Sequence, residues 1–214
     1  MFKYINMTNS FNKVFITNIR NRTERYECNN IEGYKSHLKE NPNMVECIGE
    51  YSQQIKPVFD IDAYDTKPDI NCIIADINKI FPDKPVKYAV REPREFKGKF
   101  KYSYRLYVLN VRITSKHIKT LLIENELNNN PIYDMSIYDK NKVLFLPLTT
   151  KKADDIKVPA LIPVDRDIFD CCASYIQEDY EDWDVLYKKE EPKKVEVKVE
   201  VEDEEEDEIG RAHV

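Results

Sequence analysis

No apolar run in this 214-residue chain approaches the roughly 20 residues that a membrane-spanning helix needs. Met1-Phe2-Lys3-Tyr4 opens no apolar stretch of the signal-peptide kind. The five cysteines are Cys28, Cys47, Cys72, Cys171 and Cys172. None sits in a Cys-x-x-Cys pair, and His37, His117 and His213 do not cluster with them. A zinc site is therefore not expected, and the thiols are expected to be reduced, in an intracellular rather than a secreted setting. The body of the chain also lacks charge of one sign. The formal net charge is -6, but residues 188–209 hold five Lys against eleven Asp and Glu, and Arg211 adds one positive charge, which leaves 27 basic and 28 acidic residues in 1–187. A near-neutral body does not advertise the basic surface that a phosphate backbone favours. Basic residues concentrate only in 91–101, where Arg91, Arg94, Lys97, Lys99 and Lys101 face Glu92 and Glu95. Taken alone, that stretch reads as a solvated hairpin.

What is present suits one domain with a core, with room for two subdomains: 42% of the residues are hydrophobic. Strand patterns are expected at 14–16, 44–48, 57–62, 86–90, 102–111, 136–138 and 143–146, and a helix at 31–40. The clearest helix is 69–81, where Ile70, Ile73, Ile74, Ile77, Ile80 and Phe81 follow helical spacing between an Asp69 cap and the stop at Pro82. Thr114-Ser115 is expected to cap a second amphipathic helix through Ile118, Leu121 and Leu122, ended by Asn128-Asn129-Asn130-Pro131. The order strand, helix, strand, strand, helix, strand predicts an α+β fold with an RRM-like split βαβ sheet, in which the strands at 57–62 and 102–108 are both interior.

The most informative stretch is Phe59-Asp60-Ile61-Asp62. On a strand, Asp60 and Asp62 share one face, about 6–7 Å apart. Two carboxylates so placed form a hard oxygen pair suited to Mg²⁺ or Mn²⁺ bearing phosphates; an exposed strand edge with two solvated Asp residues gives the same pattern. Downstream, Lys101, Ser103, Arg105 and Tyr107 share one face of an alternating strand, and Tyr102, Tyr104, Leu106 and Val108 share the other. Lys, Ser and Arg together offer anion donors, although a wet edge strand reads the same way. Asp134 offers a third carboxylate. Lys142 and Lys151 offer phosphate contacts, or are solvated loop residues.

In this order the pieces resemble the archaeo-eukaryotic primase superfamily, in particular the primase-polymerases of eukaryotes and large DNA viruses. That family carries Asp-x-Asp/Glu on a strand, then Lys-x-Ser-x-His, then an Asp followed by a Tyr-rich segment ending in Lys. The matching residues are Asp60-Ile61-Asp62, Lys101-Tyr102-Ser103-Tyr104-Arg105, and Asp134 with Tyr138, Asn141-Lys142 and Thr149-Thr150-Lys151. The resemblance spans about residues 44–151. It implies a primase-polymerase catalytic core over residues 1–187, a small N-terminal α/β subdomain packed on the RRM-like half. It further implies that Asp60, Asp62 and Asp134 are catalytic metal ligands for Mg²⁺ or Mn²⁺. Lys101, Ser103, Arg105, Lys142 and Lys151 would bind the nucleotide. The implied partners are nucleoside triphosphates, a single-stranded DNA template and a helicase or zinc-containing module, and the implied setting is cytoplasm, nucleus or viral factory. Two positions depart from the pattern. Arg105 stands where the family most often has His, and Arg cannot act as an acid or base near neutral pH. Phe145 stands where a second basic residue is common.

Two other readings stay open on the residues alone. A two-metal nuclease uses Asp clusters equally well but does not need the Lys/Ser/Arg face. A non-catalytic RRM-like nucleic-acid-binding module prefers exposed aromatics on its sheet to carboxylates. The tail is expected to be separate: residues 188–207 as an acidic disordered linker, and 208–214 as non-native, because Glu208-Ile209-Gly210-Arg211-Ala212-His213-Val214 is what a common sequencing adapter encodes when read in frame. In the family that the chain resembles this region leads on to further domains, which implies that the chain is a fragment.

Overall fold

Residues 11–18, 25–40, 44–48, 53–139, 142–153 and 156–185 are described by the computed structural model; the expected linker and tail, 188–214, lie outside them. In chain order the elements are β1 (Val14–Asn18), β2 (Arg25–Cys28), α1 (Ile31–Glu40), β3 (Met44–Cys47), β4 (Gln54–Ile55), β5 (Val58–Tyr64), α2 (Ile70–Ile80), β6 (Val86–Phe96), β7 (Lys99–Val108), β8 (Val111–Thr114), α3 (Ser115–Glu124), β9 (Val143–Phe145), β10 (Lys151–Ala153), β11 (Ile156–Val158), β12 (Leu161–Pro163) and β13 (Glu181–Asp182), with short 3₁₀ helices at Leu127–Asn129 and Met135–Tyr138. The fold class is α+β. Among the described residues no helix is long and apolar enough to cross a membrane.

The isoleucine spacing makes α2 as expected. Asp69 caps it by accepting a hydrogen bond from the Asn71 amide, and Ile73, Ile77 and Ile80 are buried. These pack into one cluster with Phe59 and Ile61 of β5, Leu106 and Val108 of β7, and Ile118 and Leu122 of α3. The sheet beneath runs β12-β6-β7-β5. Strand β7 lies between β5 and β6 and is antiparallel to both, so β5-α2-β6 is a split crossover. A second sheet, β2-β1-β3-β9, packs its apolar residues with Tyr34 of α1, Ile168 and Cys172.

Four expectations need correction. The segment 136–138 is a 3₁₀ helix, not a strand, because the Asp134 side chain accepts from the Ser136 amide and turns the chain. The strand expected over 102–111 stops at Val108, where Asn110 adopts φ 62° and starts β8. Thr114 makes no side-chain cap on α3; its amide and hydroxyl both donate to Asp184 instead. Strand β5 is not interior: it ends the sheet, and among the described residues the isolated bridge Ile61–Tyr133 is what lies beyond it.

Residues 165–185 return to the core. Phe169 stacks on Tyr175 with ring centroids 4.8 Å apart, and Trp183 meets Phe81 at 4.7 Å. Polar groups secure this return. The fully buried Lys56 ammonium donates to the carbonyls of Phe169 (2.6 Å) and Asp170 (3.0 Å). Buried Glu46 accepts from the Ser174 amide (2.6 Å) and hydroxyl (2.7 Å). Burial pulls the Lys56 ammonium below its ordinary value and pushes the Glu46 carboxyl up.

Candidate functional site

The site grows out of one pairing. Strands β5 and β7 are in a register that sets Asp60 opposite Arg105, Asp62 opposite Ser103, and Tyr64 opposite Lys101. Residues opposite each other in an antiparallel pair share a face, with Cβ atoms about 4.5–5.5 Å apart. The apolar partners Phe59–Leu106 and Ile61–Tyr104 take the other face and enter the core. Alternation in two strands thus puts every polar residue of both motifs on a single surface.

The contacts follow that register. Lys101 Nζ donates to Asp62 Oδ2 at 2.7 Å, and Ser103 Oγ donates to Asp62 Oδ1 at 2.7 Å. Arg105 Nε donates to Asp60 Oδ1 at 3.0 Å, while its Nη1 donates to the Phe145 carbonyl of β9 at 2.7 Å. Arg105 therefore ties the two large sheets together. Burial works against its charge, but Asp60 beside it outweighs this and holds the guanidinium above its ordinary value. Lys101 also lies 5.4 Å from the ring centroids of Tyr64 and Phe96.

Asp134 reaches the site through its backbone. Its amide donates to the Asp60 carbonyl (2.9 Å), and the Asp62 amide donates to the Ile132 carbonyl (2.9 Å). With Ile61 bridged to Tyr133, this pairing sets Asp134 opposite Asp60. Both carboxylates raise the Tyr138 hydroxyl above its ordinary value, after the larger effect of its burial; that hydroxyl donates to the Val58 carbonyl. Asp134 Oδ1 is occupied by the Ser136 amide at 2.9 Å.

The carboxylates are not arranged as a ready metal centre. Among the described residues no group of three or more His, Cys, Asp and Glu is positioned to hold a metal ion. Asp62 has both oxygens engaged. Asp60 and Asp134 each have one oxygen engaged, by Arg105 and by the Ser136 amide. Lys142 is exposed and its charge is felt at Asp139; among the described residues no hydrogen bond or ion pair joins its side chain to the Asp60–Arg105 group. Lys151 is on β10, and its side chain lies outside the described residues.

Sequence reasoning missed one residue. Arg91, read as part of a solvated hairpin, is only 7% exposed. The β6–β7 register slips by one residue between Arg94 and Arg91, so Arg94 opposes Lys101 while Arg91 opposes Ser103. Without the slip Arg91 would face Tyr104 and point to the apolar side. Burial, with Arg105 and Arg94 nearby, pushes its guanidinium down to about 10. The available signal was Pro93: a proline inside a strand pattern marks an edge or a bulge, and a bulge changes which face its neighbours occupy.

A scan against protein-family models gives no match, and neither does a comparison with curated proteins.

Proposed function

We propose that this chain is the catalytic domain of a template-directed nucleotidyltransferase of the primase-polymerase type, making or extending primers on single-stranded DNA from nucleoside triphosphates. The observation that carries the reading is the β5–β7 register, by which the two motifs, some 40 residues apart in sequence, meet as Asp60–Arg105 and Asp62–Ser103. The split crossover that frames the site is compatible with an RRM-like catalytic half, with the β2-β1-β3-β9 sheet and α1 as the N-terminal subdomain. An intracellular site of action goes with this reading.

The donor set suits Mg²⁺ or Mn²⁺, which prefer carboxylate oxygen. Asp60 and Asp134 would each contribute the oxygen left over from their present bonds, and Asp62 would join by giving up Lys101 or Ser103. When bound, such ions would supply charge neutralisation at the α-phosphate of a nucleotide and alignment of a primer hydroxyl with it. The chain's own residues do the rest. Lys101, once released from Asp62, and Ser103 face the phosphates. Arg105 fixes the Asp60 side chain and keeps its charge at all working pH values. Lys142 and Lys151 would approach the nucleotide from the loops around β9 and β10. Positioning and charge stabilisation account for the chemistry without a covalent intermediate.

A second reading, a non-catalytic nucleic-acid-binding module, is favoured by one observation: Asp60 and Asp62 are each already paired with a cation. A labelled nucleotide supplied with Mn²⁺ and single-stranded template separates the cases. The polymerase lengthens products, a two-metal nuclease shortens the template, and a binding module retains the template unchanged. Retention without product contradicts the polymerase reading.

A further inference from the structure

Four cations converge on the polar face: Lys101, Arg105, Arg91 and Arg94. Two of them are matched. Lys101 pairs with Asp62 and Arg105 with Asp60. Among the described residues Arg91 and Arg94 make no ion pair, and the buried atoms Arg91 Nε and Arg94 Nη1 have no hydrogen-bond partner. Even with Asp134 counted, one positive charge is left over. An unpartnered guanidinium is unfavourable in so enclosed a place. The register gives its surroundings. Arg91 lies between Ser103 of β7 and Leu161 of β12, in the row that begins at Asp62, and Arg94 lies in the adjoining row beside Lys101. The Leu148 amide donates to the Leu161 carbonyl, so the chain following β9 runs along the edge of this row.

We infer that Arg91, seconded by Arg94, is a phosphate-binding subsite next to the Asp62–Ser103 pair, and that the phosphate it takes is the free end of a nucleoside triphosphate. The enclosure decides between the two phosphate sources. A polynucleotide backbone runs along a surface and presents mainly internal phosphodiesters, whereas the end of a triphosphate can reach an enclosed arginine, and Arg91 is only 7% exposed. A planar guanidinium with unused N–H groups suits the paired oxygens of a terminal phosphate. The assignment deepens the nucleotidyltransferase reading and rests on it for the nucleotide, but not for the anion.

The test is equilibrium binding of inorganic tripolyphosphate in EDTA, with a labelled single-stranded oligonucleotide as the second probe, to wild type, Arg91→Gln and Arg91→Lys. Arg91→Gln weakens tripolyphosphate by at least about tenfold, the loss of one charge-assisted hydrogen bond. Arg91→Lys recovers part of the loss, and oligonucleotide affinity stays as in wild type. Without ligand, Arg91→Gln melts no lower than wild type, because an unpartnered buried charge has been removed; tripolyphosphate raises the melting temperature of wild type more than that of the variant. Unchanged tripolyphosphate affinity in Arg91→Gln, or no binding to wild type, overturns the subsite. A loss confined to the oligonucleotide overturns the triphosphate assignment. If Arg91-dependent binding is found but wild type incorporates no nucleotide, the polymerase reading fails and the anion subsite stands.

Discussion

The charges around Lys56 and Glu46 and those around Asp60 and Asp62 are built differently. Around Lys56 and Glu46, both completely covered, the ammonium is met by two backbone carbonyls and the carboxylate by the amide and hydroxyl of Ser174. These contacts fasten residues 169–174 to β3 and to the start of β5. Around Asp60 and Asp62 the carboxylates keep 21% and 29% of their side-chain surface, and the buried Arg91 Nε beside them has no hydrogen-bond partner. The first group is fully covered and its bonds hold the chain, with Glu46 Oε2 left as its one atom without a hydrogen-bond partner among the described residues. The second is half open, contains an unmatched charge, and sits where two motif strands meet. Sites that act on ligands carry this kind of unresolved electrostatics.

Arg105 tests the boundary, because it belongs to the open group but is buried like the closed one. Arg105→Ala removes the cation that pairs with Asp60 and the bond to the Phe145 carbonyl, and is expected to destabilise the protein by about 3–5 kcal/mol as a broken buried pair. Chemical denaturation measures this, and a loss below about 1 kcal/mol would place Arg105 among surface pairs. Asp62→Asn has the opposite profile. Nucleotide incorporation falls on the order of 10³-fold if metal alignment is lost, while the melting temperature stays close to that of wild type, since a partly exposed pair contributes about 1 kcal/mol or less.

These side chains differ in how far the sequence reveals them. Strands β5 and β7 were legible because their alternation is strict, from Val58 to Asp62 and from Lys101 to Val108, and α2 was legible from six apolar residues and a cap. Strands β4 and β10 to β13 have only two or three residues, too few to show a period. Ile137 and Tyr138 mimic a strand because both are buried, although they belong to a 3₁₀ turn. The two-residue turn Lys97-Gly98, both at positive φ, fixes the β6–β7 hairpin. The one-residue slip beyond it is what brings Arg91 to the polar face, and parity counted from the turn gives the wrong answer. The bond from Arg105 to the Phe145 carbonyl spans 40 residues and left no local trace.

Within the closed group, Lys56→Met is expected to destabilise by about 2 kcal/mol, because two carbonyls lose their donor. Incorporation per folded molecule should not change; a selective loss of activity would mean that the closed group is part of the site. The smallest effect concerns a third anchor. Asp184 accepts from the Thr114 amide (3.0 Å), Gln54 Nε2 (2.9 Å) and the Thr114 hydroxyl (3.0 Å), and shares a 2.5 Å hydrogen bond with His117 Nδ1. Burial alone would raise its carboxyl; these bonds outweigh burial and hold it below the usual carboxylate value. A depressed folded value means the contribution is complete above the ordinary Asp value of about 3.9 and is lost as pH falls below it. Melting followed by pH should therefore show an acid limb that is shallower in Asp184→Asn. An identical limb in both proteins would remove Asp184 from the acid response.

The most direct measurement pairs two readouts on two proteins: Mn²⁺-dependent incorporation of labelled nucleotide on a single-stranded template, and the melting temperature, for wild type and Asp62→Asn. Wild type is expected to extend products, and the variant, melting within a few degrees of it, is expected not to. A folded wild type that incorporates nothing, or a variant as active as wild type, would contradict the polymerase reading.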